Sequence, residues 1–357
     1  MLANLALFLA GAALSFAQDS PSKGACTTKL QRQAWHTLTD DEKASYIEAE
    51  LCLMGMEGTL GLNGTRNRFE ELQAAHQIQA DIVHGVGAFL PFHRLLMYAH
   101  EKLLREECGY TGAQPYWDET RDAGAFDTSD VLDPTTGFGG NGVGDEGCIE
   151  DGPFAGYVNG LGPGYFITEH CITRFVNNNA SSRAAREFID RCYESETFVE
   201  AWPCLEGAPH SAGHAGVGGL MLDPIASPGD PVFYLHHTWL DKVWWDWQAL
   251  DLPSRLTDMG GRNIQDEFEG FPEFPGNDGE FPGEDFRPPT GGFPGGGGFP
   301  PPEAMTPPEW WPEQIPEGDP GEETTLDHIL NMFGVIPNAT IGEVMDIGGD
   351  LLCYEYV

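Results

Sequence analysis

Apolar residues along this chain recur mostly at intervals of three and four rather than two, and the pattern predicts helices over 40–54, 66–84, 91–107, 181–192 and 235–250. In the second of these, Phe69, Leu72 and His76 stand at helical spacing. The third opens on Pro91, suited to a first turn, and continues with Phe92, Leu95, Leu96, Ala99 and Leu103. Gly85 and Gly87 interrupt the pattern between the two and supply a connecting turn. In the fifth, Leu240, Val243, Trp244 and Trp247 form an apolar face, and His237 lies on or near it, one turn before Asp241. Convincing strands are few. The expected fold is mainly α, with long loops between the helices.

Two stretches depart from this pattern. Residues 1–17, MLANLALFLAGAALSFA, are apolar, end in small residues and are too short for a comfortable membrane span. They read as a secretory signal cut after Ala17. From about 268 to 320, Gly, Pro, Phe and acids repeat with neither period, as in FPGEDFRPPTGGFPGGGGFPPP. That composition reads as an exposed, polyproline-like insertion, with a lid or binding arm as the sharper alternative. Ordered apolar spacing resumes after it, so the expectation is one domain over 18–357 with an interruption.

Composition narrows the setting. Lys and Arg total 18 against 56 Asp and Glu, a formal net charge of −38, which repels nucleic acid and anionic membranes. The expected protein is secreted and soluble, with neither as partner. Its eight cysteines, an even number with no CxxC, favour disulfides over a metal knuckle, and their pairing stays open. Sequons at Asn63, Asn179 and Asn338 suit a glycosylated surface.

The histidines change the picture most. His76, His84 and His93 fall within one short stretch, and His210 and His214, in PHSAGH, are followed by His237 after a loop. On a helix, His210 and His214 at i and i+4 share a face and can chelate one ion. Six imidazoles on apolar helices would be costly to bury without partners. Neutral imidazole suits zinc, copper, iron or nickel. Carboxylate-bridged di-iron sites want Glu-x-x-His pairs and zinc hydrolases want HExxH, and neither is placed here. Two ions with three nitrogens each leave room for a bridging ligand. His36, His170 and His328 have no such spacing, and His100 reads as a buried core histidine ahead of a supporting donor.

The flanks of these histidines carry a resemblance. FLPFHRLLMYAHEKLLREECGY followed by QPYWDET, then LEGAPHSAGHAGVGG, SPGDPVFYLHHTWLDKVW and the closing VMDIGGDLLCYEYV with Tyr354 and Tyr356, are similar to the type 3 copper proteins of the tyrosinase and catechol oxidase family, most of all its short secreted fungal form. The resemblance covers nearly all of the chain after the leader except the insertion. It implies a central four-helix bundle holding two copper ions, one on His76, His84 and His93 and the other on His210, His214 and His237. It further implies a phenol oxidase that uses O2 to convert catechols to o-quinones and in some members hydroxylates monophenols. An oxygen carrier of haemocyanin type, or an oxidase dedicated to a secondary-metabolite phenol, is the alternative.

Single positions refine what the resemblance implies. Glu206 matches a glutamate that orients water near the metal pair and is the best base for a phenol proton. Ser211 stands where hydroxylating members often have Asn, which weakens the expectation of monophenol hydroxylation. Ile82 occupies the place of a cysteine that many members link to their second ligand, so no thioether forms there. A small Ala226, near the position of a bulk-varying gate, is expected to leave the centre open to substrate. Phe233 either stacks on a ligand ring or packs as ordinary core. Asp241 is either an acceptor for a ligand N–H or a helix-surface carboxylate. No covering domain follows Tyr356, so activity without proteolysis is expected unless the Phe-rich insertion acts as a cover.

Overall fold

The chain enters its first long helix, α1 (Asp40–Gly55), through a capping box: the Thr39 hydroxyl accepts the Glu42 N–H, and the Glu42 carboxylate accepts that of Thr39. Asn67 caps α2 (Arg68–Gln77) in a similar way, its side-chain oxygen accepting from the Glu70 N–H at 2.9 Å. A single turn, α3 (Ala80–Val83), leads to α4 (Phe89–Glu106). This computed structural model describes residues 26–265, 300–308 and 318–357. The leader expected at 1–17 and most of the insertion expected at 268–320 lie outside the described residues.

The one helix expected over 66–84 is two. The Gln79 side chain donates to the Ala75 carbonyl at 2.7 Å, taking the acceptor that a continuing helix would offer to the Gln79 N–H. That N–H bonds instead to His76 O at 3.2 Å, and the helix ends. Gly85, at φ 63°, then turns the chain back.

The later helices are short turns α5 (Glu119–Asp122) and α6 (Asn178–Ser181), then α7 (Arg186–Tyr193), α8 (Phe198–Leu205), α9 (Ser211–Val217), α10 (Val232–Ala249) and α11 (Ile341–Val344). The helix expected over 181–192 is divided between α6, a 3-10 turn and α7, and the one expected from 235 begins at Val232. Between α8 and α9, Glu206–His210 form one π turn, with Pro209 inside it. Proline supplies no N–H to the Leu205 carbonyl and its ring crowds that carbonyl, so the helix widens there.

Strands are short and pair two by two among the described residues: β1 (Leu30–Arg32) with β6 (Tyr354–Tyr356) in parallel, β2 (Val158–Asn159) with β3 (His170–Cys171), and β4 (Ile329–Leu330) with β5 (Ala339–Thr340), both antiparallel. The four bridges Cys26–Cys353, Cys52–Cys108, Cys148–Cys171 and Cys192–Cys204 use all eight cysteines.

A central four-helix bundle consists of α2, α4, α9 with its π turn, and α10. α4 packs along α10, and Phe69 of α2 meets Tyr234 of α10 edge-on at 5.7 Å. Leu240, Val243, Trp244 and Trp247 are buried, as the apolar face required. No helix among the described residues is long and apolar enough to cross a membrane.

Candidate metal centre

Each helix of the bundle brings at least one histidine to a common interior. His76 comes from the last turn of α2, His84 from the end of α3 and His93 from the second turn of α4. His210 closes the π turn, His214 lies in α9 and His237 in the second turn of α10. The candidate ligand atoms of His76, His84 and His93 lie within 4.8 Å of one another, and so do those of His210, His214, His236 and His237. The two groups adjoin: the rings of His93 and His237 stack with centroids 4.2 Å apart. All six residues singled out as ligands are brought together.

The rings are fixed through their Nδ1 atoms. Those of His76, His84, His93 and His210 lie 2.8–3.1 Å from the carbonyl oxygens of Ile225, Ala80, Phe89 and Glu206, and that of His214 lies 2.5 Å from Met221 O. A carbonyl only accepts, so Nδ1 carries the hydrogen and Nε2 keeps its lone pair. Three such Nε2 atoms, of His76, His93 and His210, are buried with no hydrogen-bond partner. Those of His214 and His237 face each other at 3.2 Å. Burial and the neighbouring rings hold five of the imidazoles well below their ordinary pKa, and burial holds His84 at about 4. Neutral rings with unsatisfied lone pairs turned inward are what a soft or borderline cation binds. The donor set therefore fits the copper pair that the resemblance implies.

Phe233 is fully buried and touches four of the rings: its centroid is 4.2 Å from that of His237, 5.5 Å from His76, 6.0 Å from His214 and 6.1 Å from His93. It packs between the two groups, set against ligand rings as part of the core. Phe89, which sequence reasoning missed, does the same from the other side, 4.7 Å from both His93 and His210. Its place one turn before His93 was the signal available.

Ala226 is interior as well. It is buried behind His76, and its carbonyl accepts from the Gln73 side chain at 3.0 Å. The loop it belongs to turns Ile225 O onto His76, so the residue supports a ligand from within.

Asp241 touches no histidine. Its two oxygens are taken by Arg94, by Tyr354 at 2.5 Å and by Tyr356, and Arg32 lies 3.6 Å away. It ties the C-terminal strand β6 to the bundle, because two buried guanidinium groups and two phenols outcompete a ring N–H one turn away. His237 Nδ1 stays buried without a partner. His100 is buried between Glu50, at 3.0 Å, and Gln114, at 2.9 Å, away from the six rings.

Glu206, partly buried, accepts the Gly85 N–H at 2.7 Å, so this carboxylate of the second region is held by the loop of the first. Burial pushes its carboxyl up to about 8, with the Gly85 bond and Arg262 pulling the other way. The Ser211 hydroxyl donates to the Glu206 backbone carbonyl at 3.3 Å and not to its carboxylate. His236 donates through Nδ1 to Glu119 at 2.6 Å, both wholly buried, and its own Nε2 is buried without a partner beside the second group.

Comparison with known proteins agrees with this geometry. Residues 66–250 match the family described as the common central domain of tyrosinase. The chain is 33% identical to the tyrosinase ustQ of Aspergillus flavus over 344 residues, which cover 93% of this chain and 80% of that protein. It is also 33% identical to the tyrosinase-like protein phomQ2 of Diaporthe leptostromiformis over 252 residues, 67% of this chain and 63% of that relative, under two thirds of its length. Among solved structures, a mutant of the polyphenol oxidase from Thermothelomyces thermophila superposes with a TM-score of 0.70 at 27% identity, over 92% of this chain and 89% of that one.

Proposed function

The chain belongs to the tyrosinase family of copper-dependent oxidases, and on that premise we propose that it oxidises o-diphenols to o-quinones with O2, with hydroxylation of monophenols as a minor activity. His76, His84 and His93 hold one copper ion and His210, His214 and His237 the other. Bound in this way, copper supplies the two-electron redox chemistry with dioxygen. The observation that carries the reading is the set of buried, partnerless Nε2 atoms converging from α2, α4 and the π turn.

The chain contributes geometry and proton handling. Backbone carbonyls hold the Nδ1–H of every ligand ring but that of His237 and so keep Nε2 free and aimed. Phe89 and Phe233 fill the space around the rings and exclude water. A catechol that is already ionised needs little help. A monophenol must first lose its proton, and Glu206 is the group positioned to take it. The Ser211 hydroxyl is spent on a backbone carbonyl and gives that carboxylate no second donor, which favours catechols.

The test is oxygen uptake by the copper-loaded protein with a catechol and with the matching monophenol. Catechol turnover well above monophenol turnover is the expected result. Equal rates would overturn the catechol preference, and turnover of neither, with copper bound, would favour an oxygen carrier. Export from the cell completes the proposal. It is supported by the apolar leader and the four disulfides, and a mature extracellular protein beginning at Gln18 would meet it.

A further inference from the structure

His84 differs from the other five histidines in what carries it. It follows α3, a helix of one turn, and its own backbone is extended, with φ −121° and ψ 146°. The carbonyls of His84 and Gly85 therefore have no helix to satisfy them. Both are met by side chains from a distant segment that follows α10. Gln265 Nε2 donates to His84 O at 2.7 Å, and Arg262 Nε donates to Gly85 O at 2.7 Å. The Gly87 N–H closes the contact by donating to Arg262 O at 2.9 Å.

That segment is itself anchored. Arg262 pairs with Glu323 in an antiparallel bridge, and the Asn263 side chain donates to Gly321 O and Glu323 O at 3.0 and 2.9 Å. The Thr324 N–H donates to Gly261 O at 2.7 Å. Approach to the histidine loop is close enough that Gly87 has no room for a side chain, since a Cβ there would lie 2.2 Å from Gly260 O. On its other side the Gly85 peptide gives its N–H to Glu206 at 2.7 Å. One peptide thus joins three things: the backbone of a metal ligand, the carboxylate placed to take a phenol proton, and a clamp from residues 262–265.

We propose that Arg262 and Gln265 are positioning residues for the first copper, holding His84 in place through its own carbonyl and that of Gly85. The proposal rests on the six-histidine reading of the centre. No other ligand needs such support: the backbones of His76, His93, His214 and His237 are set within helices, and that of His210 by the π turn. Outer partners of metal ligands typically account for about 10–100-fold in affinity. Here the effect falls on one of the two ions only.

The experiment is copper release from the full chain to a Cu(I)-selective chelator under reducing conditions. It compares the unaltered protein with Gln265→Met and with the double variant Arg262→Met/Gln265→Met. Methionine matches the length of glutamine, replaces the apolar stem of arginine, and removes the donor in both. The unaltered protein is expected to yield two copper ions slowly. In the double variant one of the two leaves about 10–100-fold faster while the other keeps its rate, and Gln265→Met falls between. Two ions leaving at the unaltered rate, or both accelerated alike, overturn the proposal and leave the dicopper reading standing. An unaltered protein that takes up no copper removes that reading and the proposal with it. If the double variant does not fold, the single variant decides by the same criterion.

Discussion

The two histidine groups reach similar chemistry by different construction. The second is built almost wholly on regular structure: a π turn sets His210, α9 follows at once with His214, and the second turn of α10 presents His237. Behind it stands a buried pair, His236 and Glu119, pressed so close beneath α9 that a Cβ on Gly213 would fall 2.2 Å from His236 Nδ1. The first group takes two ligands from long helices and the third from a loop that residues 262–265 must hold. Helical ligands come already oriented by their backbone hydrogen bonds. A loop ligand needs its carbonyls satisfied from elsewhere.

Four changes break or sharpen that comparison. Glu206 lies in the sequence of the second group but is held by the first, so Glu206→Gln tests the joint between them. Monophenol turnover is expected to fall by about 100-fold or more, with catechol turnover within a few fold, measured as kcat on both substrates. Because burial raises this carboxyl to about 8, it becomes an effective base only as pH rises toward that value. An acid limb in the monophenol rate, absent with catechol and lost in the variant, is the accompanying pH signature; the charge of bound copper moves it to lower pH.

Next in size is Gly213→Ala, aimed at the rigid half. The added methyl meets an imidazole and the Glu119 carboxyl, at 2.2 and 2.8 Å, and neither can move without breaking their buried bond. Overpacking of this kind costs roughly 1–3 kcal/mol, and copper titration should show the second ion weakened while the first binds as before. Loss of both ions alike would mean that the halves are not independent.

Ser211→Asn is a gentler change. It replaces a hydroxyl committed to the Glu206 carbonyl with an amide long enough to reach further, and the ratio of monophenol to catechol turnover should rise by about 10-fold at most. An unchanged ratio would mean that Glu206 needs no second donor.

The smallest effect is on the metal-free protein. His84 is held at about 4 against an ordinary 6.5, and the unfolded chain takes up protons that the folded one refuses. Stability is therefore full above about pH 6.5 and declines as pH falls toward 4, with urea midpoints as the measurement. Glu206 acts oppositely, its share being lost as pH rises through about 8. Restoring copper should raise the curve most at neutral pH and less as pH falls, since binding adds only to the folded state and needs deprotonated imidazoles.

The sequence by itself determined what depends on residue type and short spacing. Apolar intervals of three and four fixed the helices that hold His93 and His237, because an amphipathic face follows directly from 3.6 residues per turn. Six histidines in two groups of three, with their flanking motifs, marked the centre because so many buried imidazoles need a common partner. What only the tertiary structure decided was where long-range partners fell. The break of 66–84 at Gln79 turned on a side chain that spans Ala75 and Asn331, 252 residues onward. Asp241 had the right spacing for a ligand N–H and went instead to Arg94, Tyr354 and Tyr356, which come from another helix and the far end of the chain. Phe233 packs among the ligand rings, and Ala226 is buried in the loop behind His76, both placed by the closure of the bundle. Spacing fixes which face of an element a side chain occupies. Which distant group satisfies it is settled only when the chain closes and each buried donor must find its acceptor.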